Sequence, residues 1–413
     1  MQPLRQSILD MEAIMSVADI YEKRATFSFE VFPPKTDVGM EKLCGKDGVL
    51  DKLYTLEPDY ISCTYGAGGT NVGKNLEVLD KIQKDGKCTP VTHFTCIGNT
   101  KEDIREKLQT YLDHGINHML ALRGDLPFGW TGTNGDLHYA TELVKFVRKE
   151  FGDKFTIAVA GSPEGHIQCR SLEADIAFLK QKQDNGADFI ISQLCWDMDA
   201  FRYWLEAIRN AGIWLPVDVG IMPILDQAAT INMALSRNGC VMDRKLCEII
   251  SKNWIFPNPF DKEPFDADVA GKKESFRKAG IEYTINQIDE YRACGVDGIH
   301  LYALNKYDDV ANIAKLAGLI AAAIVADTVM FKSPTSTAVD RRMADRMARI
   351  ANISLDELGK TIFSASISDD KPADTLLFTD FKDFHIADHD FGVSQITCVD
   401  SERMMQRKDE FLA

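Results

Sequence analysis

Eight short apolar runs alternate with longer amphipathic stretches between residues 26 and 325, and that rhythm leaves few folds open. The runs are 26–32, 59–64, 90–96, 118–123, 155–160, 188–194, 216–222 and 298–304. Each is rich in β-branched and aromatic residues, as expected of a strand buried on both faces. The stretches between them, such as 101–115 and 171–186, have the texture of amphipathic helices. Four end on a glycine just before the next run: Gly115, Gly186, Gly212 and Gly295. A glycine there closes a helix in the left-handed conformation. Strand–helix alternation predicts an α/β fold with a parallel sheet. An open doubly wound sheet is the rival. Eight units with no G-x-G-x-x-G after the first run favour a closed (β/α)8 barrel.

The seventh unit is oversized. Residues 225–295 hold two or three helical patterns, and an insertion after a barrel strand often helps to cover the active-site face. Beyond residue 325 the texture changes. Residues 338–361 read as one charged amphipathic helix, and 376–399 as strand, turn, strand. The expected organisation is an N-terminal helical extension (1–25), a TIM barrel (26–325) and a small α+β C-terminal appendage (326–413).

The 413 residues carry a net charge of −15, which argues against nucleic acid or an anionic membrane as partner. The ten cysteines form no C-x-x-C pair and several fall in apolar runs, pointing to free thiols in a reducing cytoplasm. The N-terminus lacks the basic start and clean apolar stretch of a secretory signal. The apolar stretch 316–330 is too short to span a bilayer and contains Asp327.

Several predicted strand ends carry polar groups that a structural strand does not need. Glu30 is the hardest to explain, because a carboxylate inside Thr-Phe-Ser-Phe-Glu-Val-Phe must be paired, protonated or used. Pro33 and Pro34 end that strand, so Glu30 falls near its C-terminal end, where α/β barrels keep their chemistry. Thr64 opens a glycine-rich loop. His93, Arg123-Gly124-Asp125, His166, Gln193, Tyr302 and Asn305 stand at or just beyond other strand ends. Singly, each has a bland reading: a core histidine, a flexible loop, a rim ion pair. Collected at one rim they read as a site. Metal ligation is poorly supported: His385 and His389 have helical spacing, but 387–390 reads as a hairpin turn.

The motifs in order are Phe-Ser-Phe-Glu-Val-Phe-Pro-Pro-Lys (27–35), Thr64-Tyr-Gly-Ala, His93-Phe-Thr-Cys, Ala121-Leu-Arg-Gly-Asp-Leu-Pro127, Ala187-Asp-Phe-Ile-Ile-Ser-Gln193, Gly220-Ile-Met-Pro223 and His300-Leu-Tyr-Ala-Leu-Asn305. Over residues 26–318 they resemble methylenetetrahydrofolate reductase. The resemblance implies a barrel that binds FAD at the C-terminal strand ends. It implies ping-pong hydride transfer from NADH or NADPH to 5,10-methylenetetrahydrofolate, giving 5-methyltetrahydrofolate. Glu30 matches the general acid that opens the folate methylene bridge, and burial among Phe27, Phe29 and Phe32 is expected to raise its pKa. Asp125 matches the aspartate near flavin and pterin. Gln193, Tyr302 and Lys306 match substrate positions. Thr64, His93, Arg123, Gly124, His166, Asp175 and Lys182 match flavin-contacting positions. Ser162 and Gln181 stand where bacterial members commonly carry tyrosine and arginine, which leaves the electron donor open. A homo-oligomer or an electron-delivering partner subunit fits the resemblance.

The tail resembles something else. Ile320-Ala-Ala-Ala-Ile-Val-Ala-Asp327-Thr-Val-Met-Phe-Lys-Ser-Pro-Thr335, then Leu377-Phe-Thr-Asp-Phe-Lys382 and Gly392-Val-Ser-Gln-Ile, is similar to a middle segment of family II manganese-dependent inorganic pyrophosphatase. Asp327 falls at a metal-ligand position and Lys382 at a phosphate contact. One aspartate does not hold a dinuclear site, so no pyrophosphate hydrolysis is expected. An inactive or assembly-only chimera is the alternative to the reductase.

Overall fold

The computed structural model describes residues 16–21, 25–65, 72–127, 129–236, 239–256 and 268–308. Beyond these it describes 310–311, 313, 324–326, 328–333, 336–337, 340–341, 344–345, 348, 353–366, 378, 381–386, 389–394 and 408–412. The chain divides into two compact units, Met1–Ile313 and Ala314–Ala413.

The first unit is a closed barrel of eight parallel strands in sequential order. They are β1 (Thr26–Val31), β2 (Tyr60–Cys63), β3 (Thr89–Thr95), β4 (His118–Leu122), β5 (Thr156–Gly161), β6 (Phe189–Ser192), β7 (Val217–Ile221) and β8 (Gly298–Tyr302). β8 closes on β1 with Thr26 opposite Gly298 and Glu30 opposite Tyr302. Outside lie α2 (Asp37–Cys44), α3 (Val49–Tyr54), α4 (Val72–Asp85), α5 (Lys101–Asp113), α6 (Ala140–Phe151), α7 (Leu172–Asp184) and α8 (Met198–Asn210). Gly115, Gly186, Gly212 and Gly295 all take positive φ, as the helix-closing pattern predicts. α5 opens with a reciprocal Thr100–Asp103 capping box, and Ser171 and Asp197 cap α7 and α8.

The barrel interior changes character along its axis. Tyr60, Val91, Leu120, Ala158 and Phe189 fill the lower part with apolar side chains. Helix α1 (Val17–Tyr21) joins them there: Val17 is fully buried in the same cluster. Its backbone N–H donates to His118 Nε2 at 3.2 Å, and Ser16 Oγ lies 3.1 Å from Thr156 Oγ1. Beside this plug, Asp218 accepts from Tyr60 Oη at 2.5 Å and Thr26 Oγ1 at 2.7 Å.

Between β7 and β8 run α9 (Gln227–Leu235), α10 (Arg244–Lys252) and α11 (Val269–Ala293), each capped by an aspartate. Leu246, Ile250, Phe276 and Tyr283 from this insertion pack with Leu194, Met222 and Ile224 from the ends of β6 and β7. Tyr302 lies against the same cluster. The insertion therefore builds on the C-terminal side of the barrel, as its position after a strand suggests.

In the second unit, Val325, Ala344 and Phe363 form a small core. The expected single helix over 338–361 is not continuous. Ile353 and Ser354 are non-helical, and Ser354 starts α12 (Leu355–Ser366) by accepting from Glu357 N–H at 3.3 Å. The hairpin is present but displaced: β9 is Phe381–Ile386 and β10 is His389–Ser394, antiparallel, so His389 and Asp390 lie in a strand rather than a turn. A last helix, α13, spans Lys408–Leu412. Among the described residues no helix is long and apolar enough to cross a membrane. The glycine-rich loop 66–70, Asp327 and the stretch 314–323 lie outside the described residues.

Candidate active site

Strand alternation decides what surrounds Glu30. Successive side chains point to opposite faces. Phe27 and Phe29 stack edge-on at 4.9 Å on one face. Thr26, Ser28 and Glu30 share the other, which looks into the barrel. The strand is thus buried on both faces, as expected, but apolar on one and polar on the other. That division removes the aromatic surroundings expected to raise the Glu30 pKa.

The neighbours of Glu30 are two histidines. Its Oε2 lies 3.5 Å from His93 Nε2 and 3.8 Å from His300 Nε2, with the carboxyl 22% exposed. Burial pushes the carboxyl up, but His300 and then His93 outweigh it and hold it below the ordinary carboxylate value. The expected rise is therefore reversed. Burial in turn pulls the His93 imidazole below its ordinary value, against the pull of the Glu30 charge.

His300 is a residue that sequence reasoning quoted without a role. It is fully buried. Ser28 Oγ lies 2.7 Å from its Nδ1, and Ser62 Oγ lies 3.2 Å from its Nε2. The same Ser62 hydroxyl is 3.2 Å from His93 Nε2. One hydroxyl thus links two imidazoles beside one carboxylate. If Ser28 donates to Nδ1, the His300 proton sits on Nε2, facing Glu30.

A second group gathers cations. Arg123, Lys182, Asp175 and Asp125 all act electrostatically on His166. Asp175 accepts from His166 N–H at 3.1 Å. Lys182 Nζ donates to Ala160 O at 2.8 Å, and burial lowers its pKa while Asp175 opposes. Arg123 bends its Nε onto Gly124 O at 3.0 Å. Thus Asp125, exposed on the loop after β4, has His166 among its neighbours.

With this geometry stands a family match. Residues 14–318 match the family described as "Methylenetetrahydrofolate reductase". The chain belongs to the methylenetetrahydrofolate reductase family. It is 30% identical over 328 residues to "Methylenetetrahydrofolate reductase 1" of Schizosaccharomyces pombe, covering 78% of this chain and 51% of that protein. It is 31% identical over 339 residues to "Methylenetetrahydrofolate reductase (NADH) 1" of Arabidopsis thaliana, covering 79% and 54%. With "5,10-methylenetetrahydrofolate reductase" of Pectobacterium carotovorum it shares 31% over 293 residues, covering 70% of this chain and 89% of the bacterial protein. The matches thus span about half the length of the yeast and plant relatives.

The other residues expected at the site also stand at or just beyond strand ends. Gln193 follows β6 and turns its Oε1 onto Leu194 N–H at 2.9 Å. Tyr302 ends β8, with its Oη 3.4 Å from Ser192 O. Burial, then the Glu30 charge, push its phenol well above the ordinary value. Thr64 continues β2, its N–H donating to Val31 O at 3.0 Å. Lys306 is exposed on the turn after β8.

The donor set fits an FAD diphosphate. Arg123 and Lys182 form no ion pair with a carboxylate among the described residues, and Lys182 is largely desolvated. Thr95 Oγ1, at the end of β3, is buried without a partner among the described residues. An anionic group would complete all three.

Proposed function

We propose that this chain catalyses the FAD-dependent reduction of 5,10-methylenetetrahydrofolate to 5-methyltetrahydrofolate in one-carbon metabolism, with NADH or NADPH as donor. The observation that carries the reading is Glu30, held beside His93 and His300 at the C-terminal end of β1. FAD, when bound, supplies the hydride relay between nicotinamide and folate. Thr64, His93, Arg123, Gly124, His166, Asp175 and Lys182 hold it. Gln193, Tyr302 and Lys306 position folate, and Asp125 offers negative charge to the cation that develops there.

At rest the two imidazoles keep Glu30 ionised. A pterin covering its remaining exposed face completes its desolvation and raises the carboxyl. The raised carboxyl takes up a proton from solvent and passes it to the folate bridge nitrogen as the ring opens. The carboxylate left behind faces the iminium cation. The mechanism is tested by its half-reactions. NADH or NADPH should bleach the yellow holoprotein, and methylenetetrahydrofolate should restore the colour. A protein that takes up no FAD would sink the proposal.

The reductase barrel is assigned to residues 26–325, the N-terminal extension to 1–25, and the segment similar to part of a family II pyrophosphatase to 326–413. The protein is read as cytoplasmic, working as a homo-oligomer or with an electron-delivering subunit. The tail is read as inactive toward pyrophosphate. Phosphate release with Mn²⁺, abolished by Asp327→Ala, would overturn that reading.

A further inference from the structure

β1 runs out of ladder where its chemistry begins. Pro33 has no N–H, and the residue before a proline is confined to extended conformations. β8 ends at Tyr302, and the chain turns away through two left-handed residues, Leu304 (φ 49°) and Asn305 (φ 55°). Such conformations are uncommon outside glycine and persist when surrounding structure holds them.

What holds them here is a side chain. Phe32 N–H donates to Asn305 Oδ1 at 3.0 Å, and Asn305 Nδ2 donates to Phe32 O at 2.8 Å. Ala303 N–H donates to Glu30 O at 3.1 Å just below, and Lys306 N–H closes the turn onto Ala303 O at 2.8 Å. The carboxamide thus presents one acceptor and one donor to a single residue, as a neighbouring strand's backbone would. On the other side, Thr64 N–H donates to Val31 O at 3.0 Å. The end of β1 is therefore gripped from both flanks, with Glu30 inside the grip.

We propose that Asn305 is a positioning residue for Glu30: its carboxamide is the last rung of the β1–β8 ladder and fixes where the Glu30 carboxyl stands. The proposal rests on the reading of Glu30 as proton donor. Asn305 touches no reacting atom in this account; it acts through the backbone of Phe32.

The test uses the holoenzyme, with the two half-reactions followed separately by flavin absorbance. Asn305→Ala and Asn305→Gly should slow reoxidation by methylenetetrahydrofolate about 10- to 100-fold. Reduction by nicotinamide should stay within about twofold of wild type. Glycine relaxes the left-handed turn, so a wild-type rate in Asn305→Gly would mean that Asn305 serves the turn alone, and the proposal fails. Equal loss in both half-reactions would also overturn it. Asn305→Asp keeps the acceptor and lacks the donor until its carboxyl is protonated. Its rate relative to wild type should recover as pH falls, and a ratio flat with pH counts against the rung. In the apoprotein, hydrogen exchange of the Phe32 amide should speed up in Asn305→Gly; unchanged protection counts against the proposal. If Glu30→Gln leaves folate reduction intact, the reading of Glu30 fails instead, whatever Asn305 does.

Discussion

Glu30 and His300 face each other across the seam where the first and last strands meet, Oε2 to Nε2 at 3.8 Å. That distance is longer than a full hydrogen bond. Ser28 and Ser62 fix the ring from both nitrogens, so the imidazole cannot swing away. The carboxylate is poised by an imidazole whose own position is set by the barrel wall.

Replacing Glu30 with glutamine keeps the shape and removes the proton. Flavin reduction by nicotinamide should survive in Glu30→Gln, while folate reduction falls about 10²- to 10⁴-fold. Stopped-flow measurement of both half-reactions checks this, and survival of both would remove Glu30 from the mechanism.

His300→Asn should move the pH profile rather than simply lower activity. His300 holds the Glu30 pKa down, so without it the carboxyl stays protonated to higher pH. The alkaline limb of folate-dependent reoxidation should shift upward. An unmoved limb would separate His300 from the titration of Glu30.

The chain announced its barrel more openly than its site. Every strand end falls within two residues of its apolar run, and the largest offsets are at the C-terminal ends of β6 (Ser192) and β8 (Tyr302), each two residues short. Glu30 stood out because a charge in such a run is costly. Its pKa direction was misread because the aromatic neighbours in sequence lie on the opposite face, as Thr26, Ser28 and Glu30 alternating with Phe27, Phe29 and Val31 could have told. His300 was not legible as a site residue. A histidine in an apolar strand reads as core, and Ser62 and His93 join it only when the barrel closes. The break before α12 was legible in Ser354 and Glu357, the spacing of a capping box, but the charge pattern across it hid the stop.

Lys182→Met removes a cation whose hydrogen-bond partner among the described residues is the Ala160 carbonyl. A charge-assisted contact contributes about 1.5–3 kcal/mol, so FAD should bind roughly 10- to 100-fold more weakly. Fluorescence titration of the apoprotein with FAD reads this directly. Unchanged affinity would take Lys182 out of the flavin site.

Gly220→Ala should injure the folate side. A Cβ at Gly220 would stand 2.3 Å from both Ser192 O and Tyr302 Oη, closer than real contacts permit. Tyr302 must shift, at a stability cost of about 1–3 kcal/mol. KM for folate should rise more than KM for nicotinamide; equal changes would show that Tyr302 does not shape the folate pocket.

Acid should loosen the bottom of the barrel. Burial lowers the His118 pKa from 6.5 to about 4, and its Nε2 must stay unprotonated to accept from Val17 N–H. Between those values the unfolded chain binds more protons than the folded one, so stability falls as pH drops from 6.5 toward 4. The loss approaches about 3 kcal/mol. Urea unfolding at pH 7 and pH 5 should show it in wild type and much less in His118→Gln, which cannot titrate there. Identical pH slopes would clear His118.

That same plug sets an order on synthesis. A ribosome makes Val17 and Tyr21 early, yet their seats are late: His118 on β4, Thr156 on β5, and the Phe189 ring of β6, which lies 5.4 Å from Tyr21. β1 must likewise wait for β8 to finish its ladder. The emerging chain therefore carries an unseated apolar helix and an open sheet edge through most of translation. Chaperone demand should fall only once the last strand has cleared the exit tunnel.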